Sequence, residues 1–265
     1  MVTEYEQGSV KPTVCEYYFW GLNEQKVDLF GQSFLEFLSQ GKSEAISVKI
    51  DGEEQDPLDP GYFFRSPEQM PQLELIALDL CEGTVLDVGA AAGCHSLALQ
   101  QNGLNVSALE ISQGGCKVMK ERGLKEVIHA DFFSHKGSKI DTILLLMNGF
   151  GMGHNVEGTI RMLQHAKTLM KPGAQILGDT SDISYLKDVP ENYDEEIKKE
   201  KPSPLLLNNY YGNVHFELEW KELRSNFDWI YPDPDLLQYC SHKAGLAFDL
   251  IAEGPHYDYL VRLSN

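Results

Sequence analysis

Asp87 stands inside an apolar, strand-like run, Thr84-Val85-Leu86-Asp87-Val88, where its carboxyl loses water unless a cation or a hydrogen-bond donor meets it. An amine-bearing ligand would meet that need. The run feeds a turn without bulky side chains, Gly89-Ala90-Ala91-Ala92-Gly93, and residues 94–99 then read as the first turns of a helix. Such a turn lets a ligand touch the backbone, and the free N–H groups at the helix start favour a polar or anionic group. Glu110 closes the next strand-like run, residues 105–109, roughly 20 residues past the turn. An acid at that strand end is where dinucleotide folds hold a ribose diol with a bidentate carboxylate. The small residues fall at Gly89, Ala91 and Gly93, which is not the G-x-G-x-x-G spacing of nicotinamide-binding turns.

The elements that must position these groups can be read outward from the turn. Ser112 caps a helix to about Arg122 with Gly123 closing it, and residues 126–130 form a third strand ending at Asp131-Phe132. Residues 140–147 are almost continuously apolar, as in a strand buried on both faces. That strand leaves through Asn148-Gly149-Phe150-Gly151-Met152-Gly153-His154, a glycine-rich exit at the end of the sheet where ligands bind in open α/β folds. A helix over residues 156–170 ends at Lys171-Pro172-Gly173, and a fifth strand runs from Gln175 toward Asp179-Thr180-Ser181-Asp182. Residues 233–244 predict a helix, 246–252 a strand and 257–263 a last strand. The link between these two strands is too short for a crossover helix, so they must be antiparallel.

Two segments break the alternation. Residues 183–232 hold a charged run at 191–201 and an aromatic stretch at 210–220, with strand-like alternation at Val214, Phe216, Leu218 and Trp220. They read as an insertion that builds part of a substrate pocket. Residues 1–66 read as an extension: an aromatic-rich patch at 15–20, helical spacing over 27–38, a short strand at 46–50 and an acidic loop at 51–61. Ser66-Pro67-Glu68-Gln69 then predicts a helix start, with Ser66 as N-cap, and a helix running to about Cys81.

The pattern Asp87-x-Gly89-x-Ala91-x-Gly93 resembles the first motif of class I S-adenosylmethionine-dependent methyltransferases, with Ala at a middle position that is commonly Gly. The Lys171-Pro172-Gly173 turn and the closing antiparallel strand are similar to that family too, and the resemblance covers roughly residues 66–263, least well in the insertion. It implies an α/β three-layer sandwich with a mostly parallel seven-stranded sheet whose last strand is antiparallel. It divides the chain into an N-terminal extension or lid at 1–66 and a cofactor-binding domain at 67–265, with the insertion at about 183–232. It implies S-adenosyl-L-methionine as cofactor and S-adenosyl-L-homocysteine as product.

By the same resemblance, the cofactor residues are Asp87, Gly89, Ala90, Ala91, Gly93, Glu110, Ile111 and Asn148, with Asp131 on the adenine amino group and the Phe132 backbone N–H on the ring. The family often folds the segment before the first helix over the cofactor, which adds Tyr62 as a lid residue and Arg65 as partner of the methionyl carboxylate.

Methyl transfer from a sulfonium is an in-line displacement, which positioning and exclusion of water can largely supply. A hydroxyl or ammonium acceptor must also lose a proton, and His154, Asp182 and Tyr185 are the candidate bases by position near the ends of strands four and five. The exit at Asn148 departs from the Asn/Asp-Pro-Pro-Tyr/Phe segment of enzymes that methylate adenine or glutamine, which argues against those acceptors. A small-molecule acceptor is the leading expectation. A protein side-chain acceptor and a non-catalytic, cofactor-binding scaffold are the alternatives, because binding motifs report the cofactor and not the acceptor.

Composition narrows the partners. The 265 residues hold 22 Lys+Arg against 40 Asp+Glu, for a net charge of -18, with no basic stripe to attract phosphate backbones, so nucleic acid is not expected. The N-terminus has no apolar signal-like region and the run at 143–147 is too short to span a bilayer, which predicts a cytoplasmic protein without a membrane partner. Five cysteines, odd in number and without C-x-x-C, predict reduced thiols and no metal site; oligomeric state is left open.

Overall fold

The computed structural model describes residues 27–265, so the aromatic patch at 15–20 and Cys15 lie outside the described residues. Helix α1 (Leu29–Gln40) starts at Asp28, whose side chain accepts the Gly31 N–H, and stops at Gly41 with φ 71°. Strands β1 (Ile46–Ile50) and β2 (Glu53–Leu58) follow. Then come α2 (Gln72–Asp79), β3 (Thr84–Val88), α3 (Cys94–Gln101), β4 (Asn105–Glu110), α4 (Gln113–Glu121), β5 (Val127–His129), β6 (Ile140–Leu145), α5 (Val156–Leu169) and β7 (Met170–Ser181). Short helices α6 (Tyr193–Ile197) and α7 (Pro204–Asn208) lead to the hairpin β8 (Asn213–Trp220) and β9 (Leu223–Ile230). Helix α8 (Pro234–Ala244) and strands β10 (Ala247–Glu253) and β11 (Asp258–Ser264) end the chain.

The large sheet has seven strands in the order β5-β4-β3-β6-β7-β11-β10. Strands β3 to β7 run parallel, and β11 lies antiparallel to both of its neighbours. Successive residues of β6 serve opposite faces: Ile143 and Leu145 pack with α5 and α8, while Leu144 packs with α2 and α3. All three are fully buried, which is why this run has no polar alternation. The α/β sandwich with a mostly parallel sheet and a reversed last strand is the expected fold.

The extension and the insertion meet in a second sheet, order β2-β1-β8-β9, antiparallel throughout. Ser47 pairs with Glu219 and Ile50 with Phe216, so neither segment is an independent appendage. Its inner face buries Ile46, Leu218 and Trp220 against Leu29 of α1. The insertion is also tied to the main body at Asp233, the N-cap of α8. Its buried carboxyl accepts hydroxyls from Tyr193, Tyr210 (3.0 Å) and Tyr211 (2.8 Å), and burial raises its pKa.

Two local expectations are corrected. Residues 51–61 are not simply a loop, because β2 occupies Glu53–Leu58. Asp51 and Gly52 both take positive φ, 53° and 83°, and close a two-residue hairpin with Ile50 opposite Glu53. The helix expected from Ser66 to Cys81 is broken in two: a 3-10 turn at Pro67–Gln69 stops before Pro71, and α2 begins at Gln72. Proline pushes the preceding Met70 into extended backbone, at ψ 141°, and has no N–H to continue the ladder. Cys81, Cys94, Cys116 and Cys240 are free and buried. Among the described residues no helix is long and apolar enough to cross a membrane, and no group of three His, Cys, Asp or Glu side chains is placed to hold a metal ion.

Candidate functional site

A cleft of about 700 Å³ lies over the carboxyl ends of β3, β4, β5 and β6 and under the second sheet. Its floor is lined by Asp87, Gly89, Ala90, Ala91, Glu110, Ile111, Asp131, Phe132, Asn148 and His154, ten of the fifteen residues singled out in the sequence.

Glu110 is built to receive two donors. Its Oε2 accepts the Ala91 N–H and its Oε1 accepts the Ser112 N–H, both at 2.7 Å, which fixes the plane of the carboxylate and leaves a lone pair on each oxygen. It is only 8% exposed, and burial raises its pKa against those two bonds. The turn that supplies Ala91 holds Gly89 at φ 71°, Ala91 at 52° and Gly93 at 84°. At Gly93 a Cβ would stand 2.7 Å from Met119 Cγ, so space as well as backbone requires glycine there. Asp87 is buried, its Oδ2 accepts the Ser96 hydroxyl at 2.6 Å, and burial raises its pKa. The Asp131 Oδ1 accepts the Phe133 N–H at 3.0 Å, and Ile111 and Phe132 both border the cleft.

Besides Ala91, three more non-glycine residues bordering the cleft, Met147, Asn148 and His154, have positive φ, at 58°, 59° and 64°. Such backbone costs on the order of 1 kcal/mol at each position and concentrates where function demands a particular presentation. Asn148 Oδ1 is buried without a hydrogen-bond partner among the described residues. The His154 Nδ1 lies 2.6 Å from the carbonyl oxygen of Asp228. A carbonyl only accepts, so Nδ1 carries the proton, and in the neutral ring Nε2 keeps its lone pair.

The other five residues border the cleft less directly or not at all. Gly93 lies beneath the turn. The Arg65 Nη2 reaches both Glu74 oxygens at 2.5 Å, its Nη1 donates to the Tyr62 carbonyl at 2.6 Å, and its guanidinium stacks 3.9 Å over the Tyr62 ring. Its Nε is buried without a partner among the described residues. Asp182 accepts the Ser184 N–H at 2.8 Å and the Tyr211 hydroxyl at 2.9 Å, while Tyr185 is 59% exposed and stacked on Tyr257 at 4.8 Å.

Several residues of the site were not read from the sequence. His95 borders the floor and meets Glu74 Oε2 at 2.7 Å. Burial opposes its charge, but hydrogen bonds with Cys94 and Glu74 and the nearby Asp87 carry its pKa up to about 10. Asp28 accepts the Ser112 hydroxyl at 2.7 Å and the Gly114 N–H at 2.8 Å, joining α1 to the wall of the cleft. The roof is aromatic. Phe216 and Phe227 face each other across the hairpin with rings stacked 5.3 Å apart, and Trp229 lies edge-on to Phe227 at 5.7 Å. Trp229 also fills the space where Gly151 would carry a side chain, since a Cβ there would sit 1.9 Å from its Nε1. The alternation Ser225, Phe227, Trp229 was the available signal for this wall.

A parallel sheet with a glycine turn, a strand-end carboxylate and a cleft over its carboxyl edge defines an α/β protein of the nucleoside-cofactor-binding class. No family model matches the chain, and no curated protein does. Among solved structures, a methyltransferase dependent on S-adenosylmethionine from Bacteroides fragilis, in complex with S-adenosyl-L-homocysteine, is 36% identical over 89% of this chain and 94% of its own, with a TM-score of 0.78. The CcbJ methyltransferase of Streptomyces caelestis (12% identity, 89% and 97% covered, TM-score 0.58) shares the fold. So does the sugar N-methyltransferase KedS8 of a Streptoalloteichus species (14%, 77% and 91%, TM-score 0.52). The chain belongs to the S-adenosylmethionine-dependent methyltransferases.

Proposed function

We propose that the protein methylates a small molecule held between the cofactor-binding floor and the aromatic roof. The observation that carries this reading is the roof itself, because Phe216, Phe227 and Trp229 cover the cleft where a protein side chain would need an open groove. S-adenosylmethionine, when bound, supplies a methyl group on a positively charged sulfur that an aligned nucleophile can displace.

The residues fit that cofactor. Glu110 offers one free lone pair from each oxygen to a ribose diol, and Asp131 with the Phe132 backbone suits the adenine end. The side-chain-poor turn at Gly89, Ala90 and Ala91 leaves the backbone accessible, and Gly93 lets the turn pack on α4. Asp87 and His95, the latter paired with Glu74, border the end that suits an amino-acid moiety. Arg65, with its fork on Glu74, braces that end from behind together with Tyr62. His154 is the base: the Asp228 carbonyl fixes its tautomer and Nε2 takes the acceptor's proton. Asp182 and Tyr185 are not among the residues lining the cleft, so His154 is the base in this reading.

Incubating the purified protein with methyl-labelled S-adenosylmethionine and two cell fractions, one deproteinised and one dialysed, tests the acceptor class. Label in the deproteinised fraction alone supports the reading. Label confined to protein overturns it.

A further inference from the structure

The cleft as a whole has a charge character that its aromatic wall alone does not reveal. Among the described residues that border the cleft, four are acidic, Asp28, Asp87, Glu110 and Asp131, and none is Lys or Arg. The one strongly basic group there, His95, is already matched by Glu74 at 2.7 Å. The whole chain carries a net charge of -18. A phosphate or carboxylate on the acceptor would therefore lose its water with no Lys or Arg among the described lining residues to receive it. Neutral and cationic groups do not meet that penalty.

Two further observations separate cationic from neutral. The rings of Phe216, Phe227 and Trp229 form one contiguous patch, stacked and edge-on, and aromatic faces attract a desolvated ammonium. On the floor below, Asn148 Oδ1 is a buried acceptor with no hydrogen-bond partner among the described residues, and an ammonium is all donor. A phosphate or carboxylate has no hydrogen to give it. We infer that the acceptor is an amine, bound as its ammonium on a compact apolar body, between the Phe216, Phe227 and Trp229 patch and the Asn148 floor. This rests on the methyl-transfer reading and names the substrate class of the same cleft. His154, in the same lining, takes the one proton that the ammonium must lose before its nitrogen has a lone pair.

The test is a ligand-observed NMR titration of the protein saturated with S-adenosyl-L-homocysteine. Three probes of one shape are compared at pH 7: 2-phenylethylamine, 2-phenylethanol and phenylacetate. The amine binds about tenfold more tightly than phenylacetate and more tightly than the alcohol. Trp229→Leu weakens the amine about tenfold, Trp229→Phe restores most of it, and both variants keep their affinity for S-adenosyl-L-homocysteine. Phenylacetate or the alcohol binding as tightly as the amine overturns the inference, as does failure of all three on a protein that binds S-adenosyl-L-homocysteine. Failure of S-adenosyl-L-homocysteine to bind the folded protein overturns the methyl-transfer reading instead.

Discussion

At the scale of single residues, the site is dominated by acids taken out of water. Asp179, partly buried on β7 beside Asn148, is one of them: desolvation first, then the charge of Glu74, pushes its carboxyl up to about 7, against a bond from the Asn148 N–H. The folded pKa lies above the unfolded one of 3.8, so between those values the folded state binds the extra proton and stability falls as pH rises, by up to about 1.4 kcal/mol per pH unit. Asp179→Asn should remove that loss: in urea melts at pH 4 and pH 7, the variant gains on the wild type as pH rises. A constant difference between the two proteins would show that Asp179 titrates as an ordinary carboxyl. His154 carries a second prediction. His154→Ala should lower kcat with the true acceptor by about a hundredfold while leaving the affinity for S-adenosyl-L-homocysteine intact. Undiminished turnover would remove it from proton transfer.

At the scale of elements, the roof explains what was legible in the sequence and what was not. The strand, glycine turn and helix over residues 84–99 could be read because their signals are local, as could Glu110 and the doubly buried β6. The pairing of β1 with β8 could not, since an alternating pattern names the buried face of a strand but not its partner. The hairpin at Asp51-Gly52 did carry a readable signal, two adjacent residues suited to positive φ, and the acidity of its surroundings obscured it. The positive φ values at Met147, Asn148 and His154 left no mark, because no glycine stands there. Likewise the sequence offered Arg65 as a partner for the methionyl carboxylate, and only the folded chain shows its Nη2 held by Glu74 and its Nη1 by the Tyr62 carbonyl. Ile46 is fully buried between β1, β8 and α1, so Ile46→Ala should cost about 3 kcal/mol in urea unfolding. It should also speed proteolysis within β1 and β8 together, because they form one sheet. Cleavage rising in β1 alone would mean that the two segments open independently.

At the scale of the whole molecule, a parallel sheet presents its carboxyl edge, and an antiparallel sheet assembled from two distant segments closes over it. Neither sheet makes the cleft alone. On the proposed reading Glu110 and its turn serve the cofactor and the aromatic roof serves the acceptor, so changes at Trp229 and changes at Glu110 should affect different ligands. The central claim is that Glu110 and the turn before it hold the nucleoside. Calorimetric titration with S-adenosylmethionine and S-adenosyl-L-homocysteine tests it most directly, on the wild type beside Asp87→Ala and Glu110→Ala. Two charge-assisted hydrogen bonds at about 1.5 kcal/mol each predict a loss of roughly a hundredfold in Glu110→Ala from micromolar wild-type binding. Loss in Asp87→Ala should accompany it. A folded wild type that binds neither ligand, or a Glu110→Ala variant that binds both as tightly as the wild type, would contradict the account.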